Sequence, residues 1–226
     1  MSLESKVGVG GSAAWRLFIA IALPEVLLRA LAEMQREVQT ACGGEGIRWL
    51  SQAQMHLTLR FLGGVPAAPV AEWQPALRAA VGDARAFELS IAGLGCFPHA
   101  RRPRVLWAGV HGDREALRKV QERIADATAR WGEPEVREFH PHLTLARIKA
   151  GARFDSRRWQ QLERLNESRN LGGWRVTSVE LMRRELASNG AVYSTLGTFP
   201  LGRKFHPGSF DLRPRRGNAT CISQKD

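Results

Sequence analysis

Strand-like and helix-like segments alternate along this chain in an order that predicts a mixed α+β protein. The expected architecture is two pseudo-symmetric lobes with mainly antiparallel sheets, outer helices and a groove between the lobes. Two observations predict it. Strands come in neighbouring pairs joined by short turns, which suits antiparallel pairing better than a regularly alternating parallel sheet. In addition, the tetrad His-Leu-Thr-Leu occurs twice, at 56–59 and at 142–145, each time at the front of a strand. Shorter repeats are absent, so the duplication is of a whole lobe.

The elements follow in order. Residues 1–14 are rich in Gly, Ser and Ala and read as a flexible leader. Trp15–Ile21 is a short apolar β-prone run. Pro24 sits at the start of a helix, and Leu27, Leu31, Met34 and Val38 recur at helical spacing until Gly43-Gly44 closes it. Ile47–Leu50 and Met55–Leu62 are predicted strands, the second ended by Gly63-Gly64. A helix over 69–81 carries Val70, Trp73, Leu77 and Val81 on one face. Strands at Phe87–Leu94 and Arg104–Val110 flank a loop rich in Gly, Pro and Arg. A third helix near 113–131 has Leu117, Val120, Ile124 and Trp131 as its stripe. Then come a strand at 136–148, a short helix near 156–166, and strands near 174–183 and 191–199. Residues 203–226 have little periodic apolar content and read as a flexible basic tail.

The chain has 226 residues, 44% of them hydrophobic, which is enough for a sizeable core. Its net charge of +11 does not reside in the tail alone: 203–226 contributes +4, whereas 15–202 keeps +7. A basic folded body suits a polyanionic partner such as nucleic acid, and it also suits simple solubility. Three scattered cysteines, Cys42, Cys96 and Cys221, supply neither a disulfide framework nor a zinc cluster, and point to a reducing, cytoplasmic compartment. No apolar run approaches the roughly 20 residues that span a bilayer, so no membrane partner is expected. The N-terminus lacks the basic-then-apolar order of a signal peptide.

Alternation along a strand gives the repeated tetrad its chemistry. His56 and Thr58 share one face, with Arg60 in phase, while Leu57 and Leu59 face a core; His142 and Thr144 repeat the pattern against Leu143 and Leu145. One copy would pass for a half-exposed strand. Two copies place an imidazole beside a hydroxyl on each of two walls. Two histidines that titrate near neutrality can divide the work of phosphodiester hydrolysis, one removing a proton from water and the other delivering one to the leaving oxygen. The threonine hydroxyls can hold phosphoryl oxygens, and a nearby guanidinium can stabilise the charge on them. No metal or other cofactor is required. His140, two residues before His142, could mimic half of a metal pair, yet no third ligand lies at suitable spacing.

With these motifs the sequence resembles the two-histidine phosphoesterase superfamily, in particular its RNA 2′,3′-cyclic phosphodiesterases, also called 2′-5′ RNA ligases. The resemblance covers roughly 15–202 through RLFIAIALP (16–24), IRWL and HLTLRFLG (within 47–64), RRPRVLWAGV (101–110), FHPHLTLARI (139–148) and VELMRREL (179–186). It implies that the groove between the lobes is the active site. His56 would be the proton donor to the leaving ribose oxygen and His142 the proton acceptor. It also implies that Thr58, Thr144 and Arg147 contact the phosphate. Strict alternation sets Arg147 opposite His142, so it needs a bulge or a strand end to reach. The implied substrate is RNA with a 2′,3′-cyclic phosphate end, tRNA fragments being candidates, opened to a 2′-phosphate; 2′-5′ joining to a 5′-hydroxyl is expected as well. The chain is expected to act as a monomer.

Several readings stay open at this level. Phe18 fits stacking on a nucleobase or packing in the core. Arg60 fits an RNA contact or a solvated surface, and Arg101, Arg102 and Arg104 fit a loop that steers RNA or one that is merely solvated. His99, His111 and His206 read as loop or tail residues. The substrate could also be a small cyclic nucleotide or a linear 2′-5′ oligonucleotide. A binding module without turnover, or a protein that coats nucleic acid, explains the duplicated His-Thr pair less well.

Overall fold

Nine strands and four α-helices form in the computed structural model, which describes residues 14–66, 70–134, 138–187 and 190–202. The leader up to residue 13 and the tail 203–226 lie outside the described residues. The strands are β1 (Ala14–Ile21), β2 (Ile47–Trp49), β3 (Leu57–Pro66), β4 (Phe87–Phe97), β5 (Val105–Gly112), β6 (His142–Ile148), β7 (Asn170–Val176), β8 (Ser178–Ala187) and β9 (Gly190–Pro200). The helices are α1 (Glu25–Cys42), α2 (Val70–Gly82), α3 (Arg114–Ala127) and α4 (Ser156–Leu165). Every strand pairing among the described residues is antiparallel.

The α+β class and the two-lobed plan hold, and the lobes share one sheet. Its strand order is β7-β4-β5-β6-β3-β1-β8-β9, with β2 also on β6. The halves β7-β4-β5-β6 and β3-β1-β8-β9 meet at a single residue pair among the described residues, Leu57 opposite Leu143. Helices α1 and α4 pack together and against β7 and β4 of one half; α2 and α3 pack together and against β9 and β3 of the other. The helical stripes behave as read: Leu27, Leu31, Met34 and Val38 of α1, and Leu117, Val120 and Ile124 of α3, are buried. Asp113 and Asp155 start α3 and α4 by accepting bonds from the free backbone N–H groups of Ala116 and of Arg157 and Arg158.

Several boundaries differ from the sequence reading; β6 starts at His142 where a strand from 136 is expected, and β4 runs on to Phe97. Gly63 and Gly64 do not end β3, which continues to Pro66 with Gly63 at a φ of 70°, where a side chain would be strained. The expected strand at 174–183 is two strands. The chain leaves β7 on the edge of one half, turns at Thr177, and enters β8 in the other half; the Thr177 carbonyl accepts from Leu201 N at 2.8 Å. Finally, α3 stops at Ala127, so Trp131 packs from the following turn, stacked on Trp73 at 5.0 Å. No helix among the described residues is long and apolar enough to cross a membrane.

Candidate active site

Both tetrads lie at the junction of the two half-sheets. Leu57 and Leu143 each follow a histidine, and their antiparallel pairing sets a local twofold there. That register relates His56 to Thr144 and Thr58 to His142 across the junction. The leucines go to the core: Leu57, Leu59, Leu143 and Leu145 are all almost fully buried, while both histidines and both threonines are partly exposed.

A bulge then alters what simple alternation foretells. In the β1–β3 pairing, Ile19 faces Arg60 and Ala20 faces Thr58, which leaves Leu59 as an extra residue. In the β5–β6 pairing, Leu106 faces Ala146 and Trp107 faces Thr144, which leaves Leu145 extra. An extra residue shifts everything beyond it to the other face. Arg147 is thereby carried onto the face of His142 and Thr144. Arg60 is carried away from the face of His56. Its buried guanidinium donates instead to the carbonyls of Ala125 at 3.0 Å and Thr128 at 3.3 Å, at the C-terminal end of α3. Arg60 is therefore a helix anchor and not an RNA contact.

The same bulge brings Phe61 to the groove face, at the place after the first tetrad that Arg147 holds after the second. Phe61 is 60% exposed and lies 6.1 Å from Phe18. A buried glutamine supports each bulge. Gln35 of α1 donates to the Leu145 carbonyl at 2.8 Å and to Leu50 O at 2.7 Å, and Gln121 of α3 reaches the Leu59 carbonyl at 3.5 Å. Gln35 and Gln121 stand as far apart in sequence as the two tetrads do.

Phe18 is corrected too. Only 3% of it is exposed, and its ring stacks on His56 with centroids 4.6 Å apart and planes 23° apart. A nucleobase has no open face of Phe18 to stack on; the phenyl orients the imidazole. Tyr193, the single tyrosine of the chain, meets His56 edge-on at 5.3 Å and Phe18 at 5.2 Å. Around His142, Phe97 makes an edge contact at 5.0 Å and Trp107 lies at 6.3 Å. Trp107 lies flat over its partner on β4: a Cβ on Gly95 would come within 2.2 Å of the indole. Sequence reasoning missed Phe61, Tyr193, Phe97 and Trp107. Phe61 alone had a local signal, its match in position to Arg147. The loop with Arg101, Arg102 and Arg104 follows Phe97 at the rim, with all three arginines exposed.

The ring nitrogens are set from behind. His142 Nδ1 lies 2.7 Å from the His140 carbonyl, so it holds the proton and donates, leaving the Nε2 lone pair for chemistry. The Gln54 backbone two residues before His56 favours the charged form of that ring in the same way, although Nδ1 of His56 makes no hydrogen bond of ordinary geometry. Burial pushes His56 down from 6.5 to about 4, the nearby Arg147 charge adding to the effect. His142 is lowered as well, first by burial and then by the charges of His140 and Arg147. Arg147 thus acts electrically on both imidazoles. Among the described residues no group of three or more His, Cys, Asp or Glu is arranged to hold a metal ion.

A sheet of two related halves, with a histidine and a threonine from each at the seam, is the architecture of a duplicated phosphoesterase-type fold. The chain belongs to the 2′-5′ RNA ligase superfamily, whose family model matches residues 32–187. It is 36% identical over 154 residues to an RNA 2′,3′-cyclic phosphodiesterase of Aeropyrum pernix, covering 68% of this chain and 85% of that one. It is 32% identical over 195 residues to the protein of the same name from Thermus thermophilus, covering 82% and 90%. Among solved structures, E. coli LigT complexed with 3′-AMP superposes with a TM-score of 0.64 at 26% identity, over 84% of this chain and 99% of that one. A Thermus thermophilus protein, TT0787, gives 0.62 at 30% identity, over 84% and 100%.

Proposed function

We propose that this chain opens 2′,3′-cyclic phosphates at RNA ends to 2′-phosphates, without a metal ion, using His56 as proton donor and His142 as proton acceptor. The observation that carries this reading is the pair of twofold-related His-Thr segments with one guanidinium, that of Arg147, coupled to both imidazoles. The names of the relatives supply the substrate class.

Water attacks phosphorus in line with the 3′ oxygen. Nε2 of His142 takes a proton from that water as its oxygen bonds to phosphorus. The bond from phosphorus to the 3′ oxygen breaks, and His56 protonates the departing oxygen. Thr58 and Thr144 donate hydroxyl hydrogens to the two non-bridging oxygens, and Arg147 offsets charge that builds on them. A 5′-hydroxyl in the place of water gives a 2′-5′ linkage with the same proton roles; cleavage of that linkage swaps them. His56 releases its proton readily in the free protein. Its acid role therefore draws on the negative charge of the substrate, which favours the imidazolium once the phosphate sits beside it. The free thiols Cys42 and Cys96 suit a reducing compartment such as the cytoplasm.

The test is incubation of the full chain with an RNA oligomer ending in a 2′,3′-cyclic phosphate, in EDTA, with mapping of the product end. A 2′-phosphate is expected, and His56→Ala and His142→Ala should each abolish its formation. Undiminished turnover in either variant refutes the two-histidine mechanism; a 3′-phosphate product refutes the assigned leaving group.

A further inference from the structure

The groove is edged by arginines that the described protein leaves without carboxylate partners. Arg48 on β2 stands directly opposite Arg147 on β6, and Arg16 on β1 stands directly opposite Arg184 on β8. Directly opposed residues on neighbouring strands share a face, and like charges so placed weaken a sheet. The two pairs form one field, since Arg48 and Arg184 both act on Arg147 and help to lower its proton affinity, after burial. β6 and β8 are three strands apart, about 14 Å of flat sheet, so the coupling means that the curl and the long side chains bring these charges together. Tyr193 stands opposite Arg184 on β9 and touches His56, so the arginine row starts beside the first histidine.

Some arginines elsewhere have carboxylate partners: Arg169 has Glu37, Arg118 has Glu115, and Arg183, next to Arg184, has Glu185. Arg16, Arg48, Arg147 and Arg184 make no ion pair among the described residues. Nε of Arg184 is buried and lacks a hydrogen-bond partner. A planar guanidinium with free donors is suited to phosphate oxygens, which it can grip in pairs. Two opposed like-charge pairs at one groove make sense if anions outside the chain complete them.

We propose that Arg16, Arg48 and Arg184 form a track for the internucleotide phosphates of single-stranded RNA, leading the strand to Arg147 and the two histidines. The proposal rests on the phosphodiesterase reading for its reacting end, and it adds that the chain works on oligonucleotide ends in preference to cyclic mononucleotides. The track spans the seam: Arg16 and Arg184 lie on β1 and β8 of one half, on the Tyr193 side of His56, and Arg48 lies on β2, which pairs with β6 of the other.

The experiment measures binding of a labelled single-stranded RNA that ends in a 2′-phosphate and cannot turn over, by fluorescence anisotropy from about 50 to about 300 mM salt. Each phosphate of a single strand that is no longer neutralised flattens the plot of log K against log salt by about 0.7. The double variant Arg16→Gln/Arg184→Gln should flatten it by about 1.4 and weaken binding on the order of tenfold near 0.1 M salt. Arg48→Gln alone should flatten it by about 0.7, while Arg184→Lys, which keeps the charge, should leave the slope in place. Because these arginines repel one another, the Gln variants should melt no lower than the parent. An unchanged slope, or a double variant that unfolds, overturns the track. Turnover of an RNA oligomer that ends in a 2′,3′-cyclic phosphate reports on the catalytic reading separately. A parent protein that shows the arginine-dependent slope but leaves this cyclic end intact keeps the track and loses the phosphodiesterase assignment.

Discussion

Replacing His56 by Gln should make the protein less sensitive to acid, even though the imidazole is part of the groove. Burial holds His56 at about 4 against an ordinary 6.5, so in the native state it stays neutral where the unfolded chain has already taken up a proton. Between those values the unfolded state binds more protons, and stability falls as the pH falls. Above about pH 7.5 the group contributes no pH dependence. Linkage with these two values gives a loss of about 2 kcal/mol by pH 5 and about 3 kcal/mol by pH 4. Gln carries no titrating group, so this part of the acid loss should vanish in His56→Gln. The contact with Phe18 also goes, but that offset is the same at every pH. The assay is urea unfolding of both proteins from about pH 4 to about pH 8, comparing differences in free energy and not absolute values, so that His142 and the carboxylates cancel. The two curves should converge by about 2 kcal/mol from about pH 7.5 to about pH 5. Parallel curves would show that His56 titrates normally and that its stacked, buried setting has been misread.

Arg60→Met should destabilise the fold by about 2 kcal/mol, since it orphans the carbonyls of Ala125 and Thr128, while turnover per folded molecule stays within about twofold; urea unfolding and kcat/KM check the two halves of that statement. Gly95→Ala puts a methyl where the Trp107 indole lies and should push it towards Phe97 and His142, with a loss of kcat/KM on the order of tenfold, measured on a cyclic-phosphate substrate. By NMR titration both His56 and His142 should lose their protons below pH 6.5 in the free protein, and Arg147→Gln should raise both, because its positive charge lowers each. For the same reason the alkaline limb of kcat/KM should fall below about pH 6.5, since both imidazoles are lowered; a limb above about pH 7.5 would refute a lowered pair.

The strand and helix order was legible in the sequence because each stripe has a clear period: Leu27, Leu31, Met34 and Val38 for α1, and the alternation of His, Leu, Thr and Leu at the starts of β3 and β6. The duplication was legible because the tetrad is repeated whole. The break at Thr177 was not, since Trp174–Arg183 keeps strand-like composition through the point where the chain passes from one half-sheet to the other. Alternation also sent Arg60 to the wrong face, and it would have kept Arg147 from the right one. The reason in both cases is a bulge, which depends on how a neighbouring strand pairs and on a glutamine reaching from a helix. Neither cause lies within the strand itself.

By itself, then, the sequence determined the two imidazole–hydroxyl pairs, the apolar faces that seat them, and the excess of positive charge in the folded body, because these follow from residue type and short-range spacing. Tertiary structure alone decided which neighbours complete the site. Tyr193, Trp107 and Phe97 arrive from distant strands, Phe18 is covered by His56, and Arg48 and Arg184 meet Arg147 through sheet register. A side chain's face beyond a bulge, and the charge opposite it on the next strand, are properties of pairing between segments far apart in the chain, and no local pattern encodes them.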